Sequence, residues 1–286
     1  MTEPAPGNSE DPSRLRGSLP TEGFQMSGKR ALLEISLLVG VVGGTILGVL
    51  WFARHGAERF TSSVPLAIDR TIGEQTARAL HQSSTVCTDP GPKKYVEAVA
   101  ASLTGALDDH RFTFQFVVVD DPEVNAFALP GGFVTVNKGL LDSAETGDEV
   151  AAVLAHEMQH VLRRHGTERM LRELGASTLL SALFGGTDIA VPAGVTHDFI
   201  SNAYDRDQES EADELGLALL VKAGLDPRGM SRFFARLAKA GLNPPALLST
   251  HPDPGDRAEK AERAARAMPA GQVMKTLPSP RGLGCG

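Results

Sequence analysis

The apolar positions of this chain follow three different rhythms, and each predicts a different kind of element. The first is a continuous run. From Ile35 to Phe52, "ISLLVGVVGGTILGVLWF" carries no charge over eighteen residues, close to the ~20 that cross a bilayer as a helix. Glu34 lies at its edge, Trp51 and Phe52 end it where interfacial aromatics sit, and "GKR" and "ARHGAER" flank it. A cleaved signal peptide fits less well, because about thirty residues precede the run and no small-residue cleavage site follows promptly. The prediction is one transmembrane helix over 31–53, behind a disordered tail over 1–30 rich in Pro, Ser and acid.

The second rhythm has a helical period. Residues 58–81 suit an amphipathic connecting helix within a 54–90 linker that ends at the breaker cluster "TDPGPK". Helices are then expected from Tyr95 to Leu107, from Asp148 to His165 with acidic residues at its start, and onward from Glu168 to Phe184. The uncharged part of that last stretch is too short to span a membrane before Asp188. Three more helices are expected: Asp205 to Gly224, Met230 to Gly241, and Asp256 to Met268. The third rhythm is alternation. Arg111 to Asp121 reads as a strand, and "NAFALPGGFVTVNKGLL" (Asn125 to Leu141) as strand, Pro-Gly-Gly turn and second strand. The sum is an α+β fold: a mainly helical domain over 91–268 with a small β-sheet, preceded by the membrane helix and followed by a tail over 269–286.

Charge and cysteine usage adjust this picture modestly. The net charge of -7 and the lack of a basic block argue against nucleic acid as a partner. Arg14, Arg16, Lys29 and Arg30 precede the span, against Arg54 and Arg59 just after it, which places the N-terminus in the cytoplasm and the domain outside. Gly40, Gly44 and Gly48 recur at four-residue spacing and offer a helix-pairing face for a homo-oligomer. Cys87 and Cys285 either pair in an oxidising compartment or remain separate thiols; histidines at zinc-finger spacing are absent around them.

The chemistry concentrates in "VLAHEMQHVLRRHG". His156 and His160, four apart on one helix, present two imidazoles on one face and can share an ion. Glu157 is near enough to act on an activated water without binding the metal. A catalytic zinc usually has three protein ligands. A histidine at the sixth position after His160 would supply one, but Gly166 stands there; His165 is one residue off and reads as a helix C-terminal cap. The other source is a later helix: "ESEAD" offers Glu209 as ligand and Asp213, on the same face, as hydrogen-bond acceptor for a ligand histidine. Glu211 reads as a surface charge.

"NAFALPGG", "VLAHEMQHVLRRHG", "YDRDQESEADELGLALLVKAGLDP" and "STHPDPGDR" stand in the order found in HtpX-like gluzincin metallopeptidases. The chain resembles that family over roughly residues 65–268. The family includes CAAX prenyl proteases, mitochondrial Oma-type proteases and periplasmic BepA/LoiP proteases. The resemblance implies a zincin-like endopeptidase with one Zn2+ per chain held by His156, His160 and Glu209, and with Glu157 as catalytic base. It makes "PGGFVTVNKGLL" the strand beside the cleft, along which an extended protein or peptide substrate adds, so that Asn125, Phe127, Gly131, Gly132 and Phe133 line the substrate. His251 resembles the family histidine that approaches the metal, either to support the oxyanion or to fill the open position and hold the enzyme off. Arg257 and Tyr204 are candidates for carboxylate anchoring and oxyanion donation. Family members with a single span suggest an inner-membrane protein with a periplasmic peptidase domain and misfolded or misassembled envelope proteins as substrates. The rival reading is a chaperone-like or adaptor protein that keeps the fold with little turnover.

Overall fold

The computed structural model describes residues 28–172, 203–239, 246–251, 256–269 and 274–286. Residues 1–27 of the expected disordered tail, the side chains of Trp51 and Phe52, and most of the expected helix to Phe184 lie outside the described residues, while residues 28–30, expected in the tail, are helical. The apolar run falls inside one helix, α1 (Gly28–Thr61). Its large apolar side chains from Leu32 to Leu47 are all exposed, and by length and composition this helix is able to cross a membrane. Gly40, Gly44 and Gly48 face open space. The chain divides into two units, one ending at Leu50 and the other running from Trp51 to Gly286.

In the second unit, α2 (Leu66–Ser83) and α3 (Pro90–Thr104) precede a sheet of β1 (Gln115–Val119), β2 (Ala126–Leu129) and β3 (Phe133–Asn137). The order is β1-β3-β2, with β1 parallel and β2 antiparallel to β3. This corrects the expectation for "PGGFVTVNKGLL". Strand β3 is central and hydrogen-bonded on both sides, so among the described strands the edge on the hairpin side is β2. A hairpin seen in sequence shows only its own pairing; β1 reaches β3 by skipping over β2, which no local pattern signals.

The short helix α4 (Lys138–Ser143) leads to α5 (Gly147–Leu162), which carries the HEMQH sequence. The Thr146 side chain caps α5 by accepting from the Glu149 N–H at 3.4 Å. From Glu149 to Leu162 every residue of α5 is buried, the mark of a helix surrounded on all sides rather than lying on a surface. Its neighbours are α3, β2, α6 (Arg206–Ala223) and α7 (Arg228–Lys239). Asp205 caps α6 by accepting from Gln208 N–H at 2.9 Å. Gly224 ends it in the left-handed conformation, with Leu225 N–H returning to the Leu220 carbonyl at 2.9 Å. The helices α8 (Ala246–Thr250) and α9 (Arg257–Arg266) complete the described fold.

Leu154, Met158, Leu220, Met230 and Phe233 belong to the main core. A second, smaller core joins Val64, Ile68 and Ile72 to Leu129, Met170 and Leu171. Helix α2 is therefore packed against the Pro130–Gly132 turn instead of merely connecting. The C-terminal stretch expected as a tail is also held down. Tyr95 donates to the Pro278 carbonyl (2.8 Å), Lys275 N–H to Gly224 O (2.8 Å), and Cys285 is disulfide-bonded to Cys87.

Candidate active site

Two helices build the site, and their separation is set by a glycine. A Cβ on Gly216 of α6 would lie 3.3 Å from the His156 backbone nitrogen. The missing side chain lets α6 lie directly on α5 and brings Glu209 and Asp213 under the two histidines. Glu157, Glu209 and Asp213 have no exposed surface, and His156, His160 and His251 are nearly as deep.

Four donor atoms converge. His156 Nε2 lies 3.0 Å from His160 Nε2 and 3.1 Å from His251 Nδ1, which is 3.0 Å from Glu209 Oε1. The Glu209 oxygens are each 3.4 Å from an imidazole Nε2, one to His156 and one to His160. All four residues place a ligand atom within 4.8 Å of one another. A tetrahedral zinc site with bonds of ~2.05 Å has ligand–ligand edges of about 3.3 Å. Three imidazole nitrogens and one carboxylate oxygen meeting at one point offer lone pairs that suit one divalent cation. The donor set therefore fits zinc. His251 joins the three residues expected from sequence as a fourth donor.

Around this cluster the charges are tightly coupled. Burial works against a charge on His156, but the Glu209 and Asp213 carboxylates outweigh it and lift its pKa to about 10. Burial pushes His160 well below the usual imidazole range, overcoming the pull of Glu209. Glu209 and Asp213 both resist the upward push of burial. His251 and His156 hold Glu209 down; His156 and Arg257 hold Asp213 down. Glu157 goes the other way: burial raises it, against His251 and His156. Neither of its oxygens has a hydrogen-bond partner among the described residues. His251 Nε2 lies 3.3 Å from Oε1.

Asp213 Oδ1 stands 2.9 Å from His156 Nδ1, an ion-pair contact without good hydrogen-bond alignment. Its other oxygen accepts from Arg257 Nε at 2.8 Å. Arg257 does anchor carboxylates, but they are the protein's own: Nη2 also reaches Glu209 at 3.3 Å, and the guanidinium stacks 4.2 Å over Phe234. It is as deeply buried as the donors themselves. Tyr204 lies with its ring stacked on His160, centroids 3.9 Å apart.

The remaining sequence candidates do not join the cluster by any described contact. Phe127 and Phe133 pack against the second core. Gly131 (φ 80°) and Gly132 (φ 104°) are buried; a Cβ on the first would collide with the Arg70 backbone at 2.5 Å, and on the second with Thr113 O at 2.5 Å. Their role in the structure is close packing of the turn. Asn125 is buried at the start of β2, its carbonyl accepting from Asn137 N–H. Sequence reading also missed two residues. His165 is buried at 3.0 Å from His160, and Glu211 touches His165 and Arg163 instead of standing alone at the surface. Glu211's place two residues from each of Glu209 and Asp213 was the only available signal.

Comparison with known proteins agrees with this geometry. The chain is 29% identical over 224 residues to the beta-barrel assembly-enhancing protease of Escherichia coli (strain K12), covering 72% of this chain and 46% of that one. A Vibrio cholerae protein provisionally given the same name is 34% identical over 221 residues, 71% of this chain and 46% of its own. Mitochondrial metalloendopeptidase OMA1 of Arabidopsis thaliana is 35% identical over 155 residues, 53% and 32% of the two chains. This chain thus spans about half the length or less of these relatives. The model for peptidase family M48 matches residues 90–265, which contain every donor in the cluster and both helices that align them. By that match the chain belongs to peptidase family M48, whose metallopeptidases use zinc.

Proposed function

We propose that the chain is a membrane-anchored zinc endopeptidase that cuts misfolded or misassembled proteins of the cell envelope. The observation carrying this reading is the convergence of His156, His160, Glu209 and His251 beside the buried, unpartnered carboxyl of Glu157. His156 Nε2, His160 Nε2 and a Glu209 oxygen would hold the ion. Zinc bound there supplies a Lewis acid that polarises a scissile carbonyl and acidifies water. Glu157 accepts the proton of the attacking water on a carboxylate oxygen and returns it to the departing amine. Burial favours proton uptake by this carboxyl, against the pull of His251 and His156. Asp213 orients His156, Arg257 fixes both carboxylates, and Tyr204 donates to the developing oxyanion.

His251 is the gate of the resting enzyme. Its Nδ1 takes the place of a fourth donor while Nε2 faces the base. It must withdraw before a substrate carbonyl and water fit. An extended substrate then adds to the open side of β2, which packs against α5.

The anchor is α1, with the N-terminus cytoplasmic and the catalytic domain on the far side. The Cys87–Cys285 disulfide supports an oxidising compartment there. The names of the relatives, beta-barrel assembly-enhancing protease and mitochondrial metalloendopeptidase, support metal-dependent cleavage within chains and, for the first, a link to protein assembly. A binding-only, chaperone-like protein is the second reading, favoured by the position of His251 in the donor cluster.

The test uses the purified whole chain: zinc content, and casein cleavage with and without chelator. We expect one zinc per chain and chelator-sensitive cleavage; metal-free protein with the same cleavage rate would sink the reading. His251→Ala should raise basal cleavage. A fall instead would remove the gate and assign His251 to oxyanion support.

A further inference from the structure

The sequence places three carboxylates on alternate residues of α6, Glu209, Glu211 and Asp213, and only two have been used. The third points to a control on His160 that no motif describes. His160 Nε2 faces the donor cluster, 3.0 Å from His156 Nε2 and 3.4 Å from Glu209 Oε1. A neutral imidazole that gives its Nε2 lone pair to a metal must carry its proton on Nδ1. That proton needs an acceptor. For His156 the group facing Nδ1 is the Asp213 carboxylate, 2.9 Å away as an ion-pair contact. At His160 Nδ1 the contact among the described residues is no carboxylate but the Nδ1 of His165, 3.0 Å away.

Two ring nitrogens facing each other can share only one proton. If His165 carried it, His160 would be left with its proton on Nε2, aimed at the ion. The second nitrogen of His165 decides between these states. Its Nε2 lies 3.0 Å from Glu211 Oε2, and the other Glu211 oxygen is held by Arg163 Nη2 at 2.5 Å. A carboxylate accepts and does not donate, so Glu211 draws the His165 proton to Nε2. His165 Nδ1 is then a lone pair, which accepts from His160 Nδ1–H and frees His160 Nε2 for the metal.

Backbone geometry brings His165 into place. A residue five along an unbroken helix points away from its predecessor. Here α5 ends at Leu162, and Arg164 takes φ 59°, the only described non-glycine residue with positive φ. That break turns His165 back under His160, with ring centroids 5.0 Å apart. Arg164 is itself held by both oxygens of Asp69 and by the Thr61 carbonyl.

We infer that His165, backed by Glu211, is a positioning residue that fixes the metal-binding tautomer of His160, as Asp213 does for His156. The inference rests on the zinc reading above, and its test separates the two. Zinc affinity of the whole chain is measured by competition with a chromogenic chelator, and the visible spectrum of the cobalt(II)-substituted protein reports ligand geometry. His165→Ala should weaken zinc binding by about 10- to 100-fold and shift the cobalt bands. His165→Asn, whose Oδ1 stands near the lost Nδ1, should recover most of the affinity. Glu211→Ala, at a half-exposed position that leaves the core intact, should weaken zinc in the same direction, and it decides the matter if His165→Ala fails to fold. Should the parent bind one zinc while His165→Ala and Glu211→Ala remain within about twofold of it, with unchanged cobalt spectra, the inference is overturned and the zinc reading stands. His165→Asn binding no better than His165→Ala also overturns it, since the contribution is then packing. A parent that binds no zinc overturns both.

Discussion

Glu157 and Arg257 are both buried charges, yet their surroundings give them opposite tasks. Glu157 has no hydrogen-bond partner among the described residues, as suits a group that must gain and lose a proton. Replacing it with Gln keeps the volume and removes the basic oxygen. Casein cleavage should fall by about 10²- to 10⁴-fold, while zinc content measured on the same sample stays unchanged. The variant also tests the chaperone-like reading, because a protein that only binds would keep its function. Arg257 is partnered on two sides, by Asp213 and Glu209. Arg257→Met leaves these carboxylates buried with imidazoles alone. The metal-free protein should lose roughly 3–5 kcal/mol, read by urea unfolding in chelator. Zinc should restore part of that loss, because the ion neutralises Glu209.

At the scale of elements, the site depends on how closely α6 lies on α5. Gly216→Leu places a side chain where even a Cβ stands 3.3 Å from the His156 backbone. Overpacking of this kind costs about 1–3 kcal/mol. It should also separate Glu209 from the histidines, so thermal unfolding and zinc affinity should fall together. The start of α5 has its own clamp to α7, where Arg236 binds both oxygens of Glu149 at 2.7 and 2.6 Å. Burial alone would raise the Glu149 pKa; the Arg236 hydrogen bonds win and hold it below its ordinary 4.5. A carboxyl depressed by folding stabilises fully above its unfolded value and loses that contribution as pH falls through the folded one. Arg236→Leu should therefore be less stable than the parent by ~1–3 kcal/mol at neutral pH, Arg236 being partly screened by solvent. The gap should close on acidification below about pH 4. Urea titrations of both proteins across pH 3 to 7 check this; a gap that persists at low pH would contradict it.

For the whole molecule, the decisive link is the Cys87–Cys285 bridge, which joins residues 198 apart. It is reinforced by Thr88 and Asp89 N–H groups donating to the Cys285 carbonyl at 2.9 and 3.1 Å. Closing so long a loop restricts the unfolded chain, and removing such a bridge typically costs about 2–5 kcal/mol. Cys285→Ser should lower the thermal midpoint accordingly, and reductant should do the same to the parent but not to the variant. Equal midpoints for all three would show that the hydrogen bonds of residues 274–286 suffice without the bridge.

What the sequence determined by itself lies within a few residues of each position. The uncharged run gave α1, the four-residue histidine spacing gave one face of α5, and Asp205 and Gly224 marked the ends of α6. "ESEAD" supplied Glu209 and Asp213 because helical spacing is local arithmetic, and ordered motifs tied them to the histidines. The tertiary structure alone decided what depends on distant segments meeting. It placed β3 between β1 and β2, buried Arg257 under the donors, turned His165 onto His160, paired the cysteines, and folded the C-terminal stretch onto the domain. Side-chain period and capping chemistry are written into neighbouring residues, but which separate segments meet follows from how whole elements pack; even the turn of His165 depends on Arg164 being held by the distant Asp69. A charge such as Glu211 therefore looks like solvated surface until the break after α5 brings a histidine to it.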